Sequence, residues 1–238
     1  MSVVLYIDEF TRTSPSKDAM LSLMRKMGIV PIVFNGVSGR TMLSMGMVRW
    51  ARRVIANNLS RLSKYQEAEV IFLEPSAWSV YRDEAPNLVG PSPIFSRCFL
   101  YDDWLLRHSD LLKLSPLATV SKLSFFDSQP KSLLLLHEHC HQMALNPVGL
   151  SQRLLTLIPD TTVIRVGDSC CGMAGAYGYF RKHYDLSMQI GRPLFDAINQ
   201  YPNAIVSAPG ISCQKQILDG TGRQVFHPVE LIDMSFLR

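Results

Sequence analysis

Asp168-Ser169-Cys170-Cys171-Gly172-Met173-Ala174-Gly175-Ala176-Tyr177-Gly178 places two adjacent thiols in a stretch where glycine recurs every third residue. Residues 161–166 before it are β-branched enough for a strand, and residues 179–199 after it carry apolar positions at helical spacing. The thiols are therefore expected at the carboxyl end of a strand, just before a helix, where open α/β sheets hold their ligands. Gly172, Gly175 and Gly178 permit backbone conformations and close approaches that side chains block, so something bulky is expected against this loop.

Outward from that loop, residues 133–138 and 204–207 read as further strands and residues 150–157 as a helix. The first half reads similarly. Strands are expected at 3–7, 29–34 and 70–73, with helices at 17–27 and 47–65, an alternation that predicts a parallel, Rossmann-like sheet. Residues 86–93, with three prolines and a glycine, are expected to be irregular, residues 95–112 helical and residues 114–129 a mixed connection.

The two halves share an order of parts that reads as a degenerate internal duplication. Residues 5–11 correspond to 134–140, residues 37–39 to 170–172, and residues 74–77 to 210–213. Every thiol of the second copy meets a non-thiol in the first. The expected fold is α/β, with two Rossmann-like parallel-sheet lobes: 1–115 without cysteine ligands, and 130–238 with them.

Cys140, Cys170, Cys171 and Cys213 all fall at expected strand ends, so a parallel sheet brings them to one edge. Four thiolates suit an iron–sulfur cluster or a tetrahedral zinc. The adjacent pair would strain to aim both sulfurs at one ion, and the C-x-x-C knuckles typical of structural zinc are absent, which favours a cluster. A single ion and buried inert thiols remain as alternatives. Cys98, among Phe99, Leu100 and Trp104 in an expected helix, reads as a packed core thiol.

His137, His139 and His141 alternate at period two, so on a strand they share one face while Cys140 points away. They are expected to support the metal from behind its ligands rather than bind it directly. His183 reads as helix surface, and His227-Pro228-Val229-Glu230 as a helix entry. The three glycines do not match a dinucleotide or Walker spacing. Arg49, Arg52, Arg53, Arg61 and Lys64 read as a solvated helix face, and Met42, Met45 and Met47 as core packing.

With 238 residues, 47% apolar and 18% charged, the chain has the composition of a soluble globular protein of one or two domains. A net charge of +4 without a dense basic arm argues against nucleic acid. No apolar run reaches the ~20 residues of a membrane span. The amino terminus reads as a first strand rather than a signal peptide, so a cytoplasmic location is expected. Five cysteines in a reducing compartment suggest metal ligation before disulfides.

The Cys140, Cys170-Cys171-Gly172 and Cys213 pattern resembles the cysteine-rich CCG domain found in heterodisulfide reductase and in anaerobic glycerol-3-phosphate dehydrogenase. Closer still, residues 137–142, 170–175, 183–188, 208–213 and 219–223 are similar to the carboxy-terminal domain of FAD-linked oxidases of the glycolate oxidase and D-2-hydroxyacid dehydrogenase type. Phe10-Thr11, Gly39-Arg40, Glu74-Pro75-Ser76 and Arg82-Asp83-Glu84 extend that resemblance through the first half.

The resemblance implies a [4Fe–4S] cluster on Cys140, Cys170, Cys171 and Cys213, with His137, His139, His141, Gly172 and Gly175 lining it. It also implies FAD on a partner domain or chain, and no catalytic residue in this one. Many such domains have C-x-x-C where this chain has Gly210-Ile211-Ser212-Cys213, and two thiols where it has Val37-Ser38. One four-cysteine cluster is thus implied, in the second lobe alone. The rival functions are a mononuclear zinc or iron enzyme on Cys and His, and a metal-free structural subunit.

Overall fold

The computed structural model describes residues 2–117, 132–167 and 170–237. Its first sheet comprises β1 (Val3–Ile7), β2 (Ile32–Asn35), β3 (Glu69–Phe72) and β4 (Cys98–Leu100), all parallel and ordered β2-β1-β3-β4. The second repeats the plan with β5 (Ser132–Leu136), β6 (Thr161–Arg165), β7 (Ile205–Ser207) and β8 (Val225–Phe226), ordered β6-β5-β7-β8. Leu5 sits between Val33 and Ile71 as Leu134 sits between Val163 and Ile205, so the expected duplication holds at the level of register. β1 and β5 are inner strands, as are β3 and β7, and are covered on both faces, which is why residues 3–7 and 133–136 read as continuous rather than alternating apolar runs.

The described α-helices are α1 (Pro15–Lys26), α2 (Arg40–Ser44), α3 (Val48–Leu62), α4 (Pro75–Ser79), α5 (Ala85–Val89), α6 (Tyr101–Arg107), α7 (Cys140–Leu145), α8 (Leu150–Leu155), α9 (Tyr184–Asn199), α10 (Ile211–Thr221) and α11 (Pro228–Ser235). Their ends follow local rules. Ser14 caps α1 ahead of Pro15, with Asp18 in the first turn and Arg25 and Lys26 in the last. His227 and Glu230 form a capping box at α11, with Pro228 in its first turn, as the sequence predicts.

Each lobe sends its last helix to the other: α6 packs on α8, and α11 packs on α1. Lys26 pairs with Asp233 at 2.8 Å, the His227 ring meets the Leu73 carbonyl at 3.3 Å, and Val229, Leu231 and Ile232 join the core around β1. On the other side Asp102 of α6 accepts bonds from Ser151 Oγ at 2.9 Å and from Gln142, while Tyr101 and Ser151 hydroxyls meet at 2.7 Å. This reciprocal exchange holds the lobes together, and loops at the carboxyl ends of both sheets line a common cleft.

The structure departs from the expected elements where tertiary pairing overrides local pattern. Residues 95–112 are not one helix: a 3₁₀ turn leads into β4, and α6 begins only at Tyr101. The ladder to β3 claims Cys98 and Leu100, both buried, so Cys98 is a core thiol on a strand. Residues 86–89 are helical, because a π turn over 80–84 carries the chain from α4 to α5 and places Pro86 in a first turn, where it needs no N–H. Helix α9 starts at Tyr184, not 179, after two 3₁₀ turns. Met45 and Met47 are exposed rather than core. The expected connection over 114–129 lies largely outside the described residues.

Candidate metal centre

Three neighbouring strands deliver the thiols. β5 runs into His137, His139 and Cys140, the last being the first residue of α7; β6 runs toward Cys170 and Cys171; β7 leads through Ala208-Pro209-Gly210 to Cys213 in the first turn of α10. Because β5 lies between β6 and β7, the three loops converge at the carboxyl edge of the second sheet. Asp168 and Ser169 lie outside the described residues.

The sulfurs form a continuous chain of interactions, Cys140 to Cys170 to Cys171 to Cys213, with His137 at its end. Cys171 and Cys213 are buried, and Cys140 and Cys170 half-buried. Hydrogen bonds from the Cys140 and Cys171 thiols, then from the Gly172 and Ala174 amides, push the Cys170 pKa far below the thiol range. Cys213 is likewise held down, by Cys171 and by the charges of His139 and His137. Cys140 and Cys171 go the other way: each faces an anionic neighbour, and burial adds to the effect. Four sulfurs this close cannot all ionise unless a cation joins them, and that is the donor chemistry of a metal site.

His137 adds a second sign. One of its ring nitrogens and the sulfurs of Cys171 and Cys213 lie within 4.8 Å of one another. Its Nε2 is buried without a hydrogen-bond partner among the described residues, while Nδ1 lies 3.4 Å from the Val166 carbonyl. Burial alone would lower its pKa, but Cys213 and the carbonyls of Val166 and Gly167 hold it above the usual value.

The three histidines do not share a strand face, because β5 ends at Leu136, His139 caps α7 and His141 already lies within that helix. His139 caps α7, its Nδ1 accepting from the His141 amide at 3.1 Å, with its Nε2 4.0 Å from Glu74 Oε1. His141 Nδ1 meets Ser79 Oγ at 2.9 Å. Burial, then the nearby His139 ring and Arg40 guanidinium, push the His141 pKa down to about 4.

Gly172, at φ +95°, is pressed onto the start of α9 and onto α10: a side chain there would run into the Ser187 carbonyl and lie 3.1 Å from Gln216 Nε2. Its amide reaches Cys170 Sγ at 3.4 Å and its carbonyl accepts from Ser187 Oγ at 2.8 Å, which locks the double-cysteine turn. Gly175 lies on the outer side of the turn, against Ser44 of the first lobe.

A cavity of about 250 Å³ adjoins all four thiols, His139 and His141, and its far wall comes from the first lobe as Arg40, Ser44 and Ser76. The buried Arg40 donates from Nε to the Ser76 carbonyl and from Nη2 to Ser79 Oγ, each at 2.9 Å, and pairs with Glu84 at 2.5 Å. A fixed cation thus faces the thiolates. Glu74 is the hinge of the arrangement. Its Oε1 accepts from Ser76 N and Oγ at the start of α4, and its Oε2 accepts from Ile211 N at 2.9 Å, the first amide of α10. Gly210 caps α10 without a side chain because the His139 ring occupies the space a Cβ needs.

Spacing alone did not mark Arg40 or Glu74; both lie in stretches that carried the family resemblance. Glu74→Ala removes support from two helix starts and is expected to lower unfolding free energy by about 2 kcal/mol, measured by urea titration.

In the first lobe the positions matching His137, His139, Cys140, Cys170, Cys171 and Cys213 are Asp8, Phe10, Thr11, Val37, Ser38 and Ala77. There the Asp8 carboxylate accepts from the amides of Phe10 and Thr11 at 2.7 and 2.9 Å, and Glu9 takes up Ser38 N and Oγ at 2.6 and 2.8 Å. At two of the four sulfur positions, Thr11 and Ser38, side-chain hydrogen bonds stand where the second lobe has a thiol.

No protein-family model matches the chain. It is 26% identical over 209 residues to one of the subunits of anaerobic glycerol-3-phosphate dehydrogenase of Escherichia coli K12, covering 85% of this chain and 48% of the relative. It is also 26% identical to D-2-hydroxyglutarate dehydrogenase of E. coli K12, covering 88% of this chain and 20% of the relative. The corresponding protein of Pseudomonas putida KT2440 is again 26% identical, covering 97% of this chain and 22% of the relative. The expected likeness to both groups is borne out. The chain spans about half the length of the first relative and about a fifth of the others. No described helix is long and apolar enough to cross a membrane.

Proposed function

We propose that Cys140, Cys170, Cys171 and Cys213 hold a [4Fe–4S] cluster, and that the chain is the electron-transfer part of a flavin-dependent dehydrogenase of a 2-hydroxyacid-like substrate. The observation that carries this reading is the unbroken run of four sulfurs along one 250 Å³ cavity. The named relatives act on glycerol 3-phosphate and D-2-hydroxyglutarate, both secondary alcohols whose oxidation releases two electrons. In this reading FAD on a partner domain or chain takes those electrons, and the substrate never meets this chain. A cluster supplies one-electron chemistry, which couples a two-electron donor to a downstream acceptor.

The chain's own residues divide the work by lobe. The second, residues 130–238, supplies the ligands; His137 sits behind Cys213, and Gly172 fixes the turn. The first, residues 1–115, closes the cavity and sets Arg40 opposite the sulfurs, where positive charge favours the reduced state. All five cysteines are free, which fits a reducing, cytoplasmic setting.

One observation favours a second reading: among the described residues, His137, Cys171 and Cys213 are close enough for a single zinc or iron ion. Cys170→Ser separates the two. On the cluster reading, anaerobically purified wild type is brown with about four irons and matching sulfide per chain, and Cys170→Ser loses most of both. A colourless wild type with one zinc, retained by Cys170→Ser, establishes the mononuclear site instead. A chain that binds neither metal has a structural role only.

A further inference from the structure

Residues 44–66 contain five Lys or Arg and no acid, and residues 174–192 contain three against one Asp. Together they carry a net +7 in a chain of net +4, leaving the rest at −3. They meet at the sulfur cavity: a Cβ on Gly175 would lie 3.6 Å from Ser44 Oγ, both residues line the cavity, and Tyr179 lines the smaller cleft that adjoins it.

The basic residues are interleaved with large exposed apolar ones. Met45 and Trp50 are 58% and 56% exposed, Tyr179 and Phe180 57% and 50%, and Met47 and Tyr184 are also open. Arg53 lies over the Trp50 ring, 5.4 Å from its centroid. A solvated helix face, the reading sequence alone suggests for this arginine run, does not need Met and Trp among the charges. Exposed aromatics, Met and Arg are what a protein–protein interface concentrates at its centre.

We infer that this face, at the mouth of the sulfur cavity, docks an electron-donating partner protein whose surface is acidic around an apolar centre. A protein occupant is favoured over a lipid surface because each relative continues well beyond the matched segment, so that segment sits beside more protein. The inference rests on the electron-transfer reading and adds to it where the donor binds.

The test uses the cluster-loaded full chain and, as probe, a photoreduced small acidic flavoprotein of the flavodoxin type, with bleaching of cluster absorbance followed by stopped flow. The wild-type second-order rate is expected to fall steeply with salt, and Arg49→Glu/Arg52→Glu/Arg53→Glu to slow it about tenfold or more at low salt. Trp50→Glu is expected to slow it as well. Arg153→Glu, exposed on α8, leaves it unchanged, and a small neutral photoreductant reduces all variants alike. A salt-independent wild-type rate, or a loaded triple variant reduced at the wild-type rate, overturns the docking face alone. So does uptake of the wild type but not the triple variant by phosphatidylglycerol vesicles with equal flavoprotein rates, which assigns the face to lipid. A wild type that takes up no iron overturns the underlying reading and this inference with it.

Discussion

Cys171→Ser is expected to leave the chain with almost no bound metal, while Cys98→Ser keeps the full wild-type content. Cys171 and Cys213 are common to both ligand sets, and Cys171 is the more central of the two. It lies between Cys170 and Cys213 in the sulfur chain, and it forms the close trio with His137 and Cys213. A serine hydroxyl does not ionise near neutral pH, so the site loses both a soft anionic donor and the thiol that holds Cys170 and Cys213 as thiolates. Cys98 donates to the Ile94 carbonyl at 3.3 Å, and burial pushes its pKa up to about 12, so it is a packed thiol with no part in metal binding. Metal analysis of the two purified variants checks this. Wild-type metal in Cys171→Ser would show that Cys171 is a core residue only.

Asp8→Asn is expected to stabilise the protein, and by more as pH rises. Asp8 takes the place in the first lobe that His137 takes in the second. It is fully buried, Oδ1 accepts two amides, and Oδ2 has no partner among the described residues. Burial, then the nearby charge of Glu74, pushes its pKa up to about 8. The folded state therefore holds this proton more tightly than the unfolded chain does. The penalty of ionising Asp8 is absent below about pH 4, grows as pH rises toward about 8, and reaches ~6 kcal/mol at most.

Asparagine keeps Oδ1 for the two amides and puts a neutral donor where Oδ2 was. Asp102, its pKa raised by burial to about 7, titrates in both proteins and cancels in the difference. Urea titrations of wild type and Asp8→Asn across that range measure the effect. A gap between the two that does not widen with pH would show that the Asp8 carboxyl carries no such penalty.

Much of the molecule is legible residue by residue. The apolar run at 3–7, the Ser14-Pro15 start of α1 and the His227-Pro228 start of α11 depend on a few neighbouring positions, and each appears where those positions place it. The duplication was legible too, because two copies of one order of parts must build sheets with the same strand order. Less local features were not. Residues 98–100 have no strand signal strong enough to interrupt an apolar helical pattern, and only β3 alongside makes them a strand. The histidines alternate like a strand, but the strand ends one residue before them. The helix from Ile211 begins on a glycine that offers no cap, and the carboxylate that stands in for one is 137 positions away in the other lobe.

From sequence alone, then, come the element types, the repeat, and the presence of four cysteines after three strands that a parallel sheet must place side by side. Those follow from short-range steric and hydrophobic periodicity, which acts over a few residues. Which atoms confront one another past the strand ends was decided only by the tertiary structure: His137 behind Cys213, His139 turned to Glu74, Arg40 across the cavity. The exchange of α6 and α11 brings the two lobes together there. Beyond a strand's last ladder bond no local period directs a side chain, so its neighbours come from distant parts of the chain packed against it.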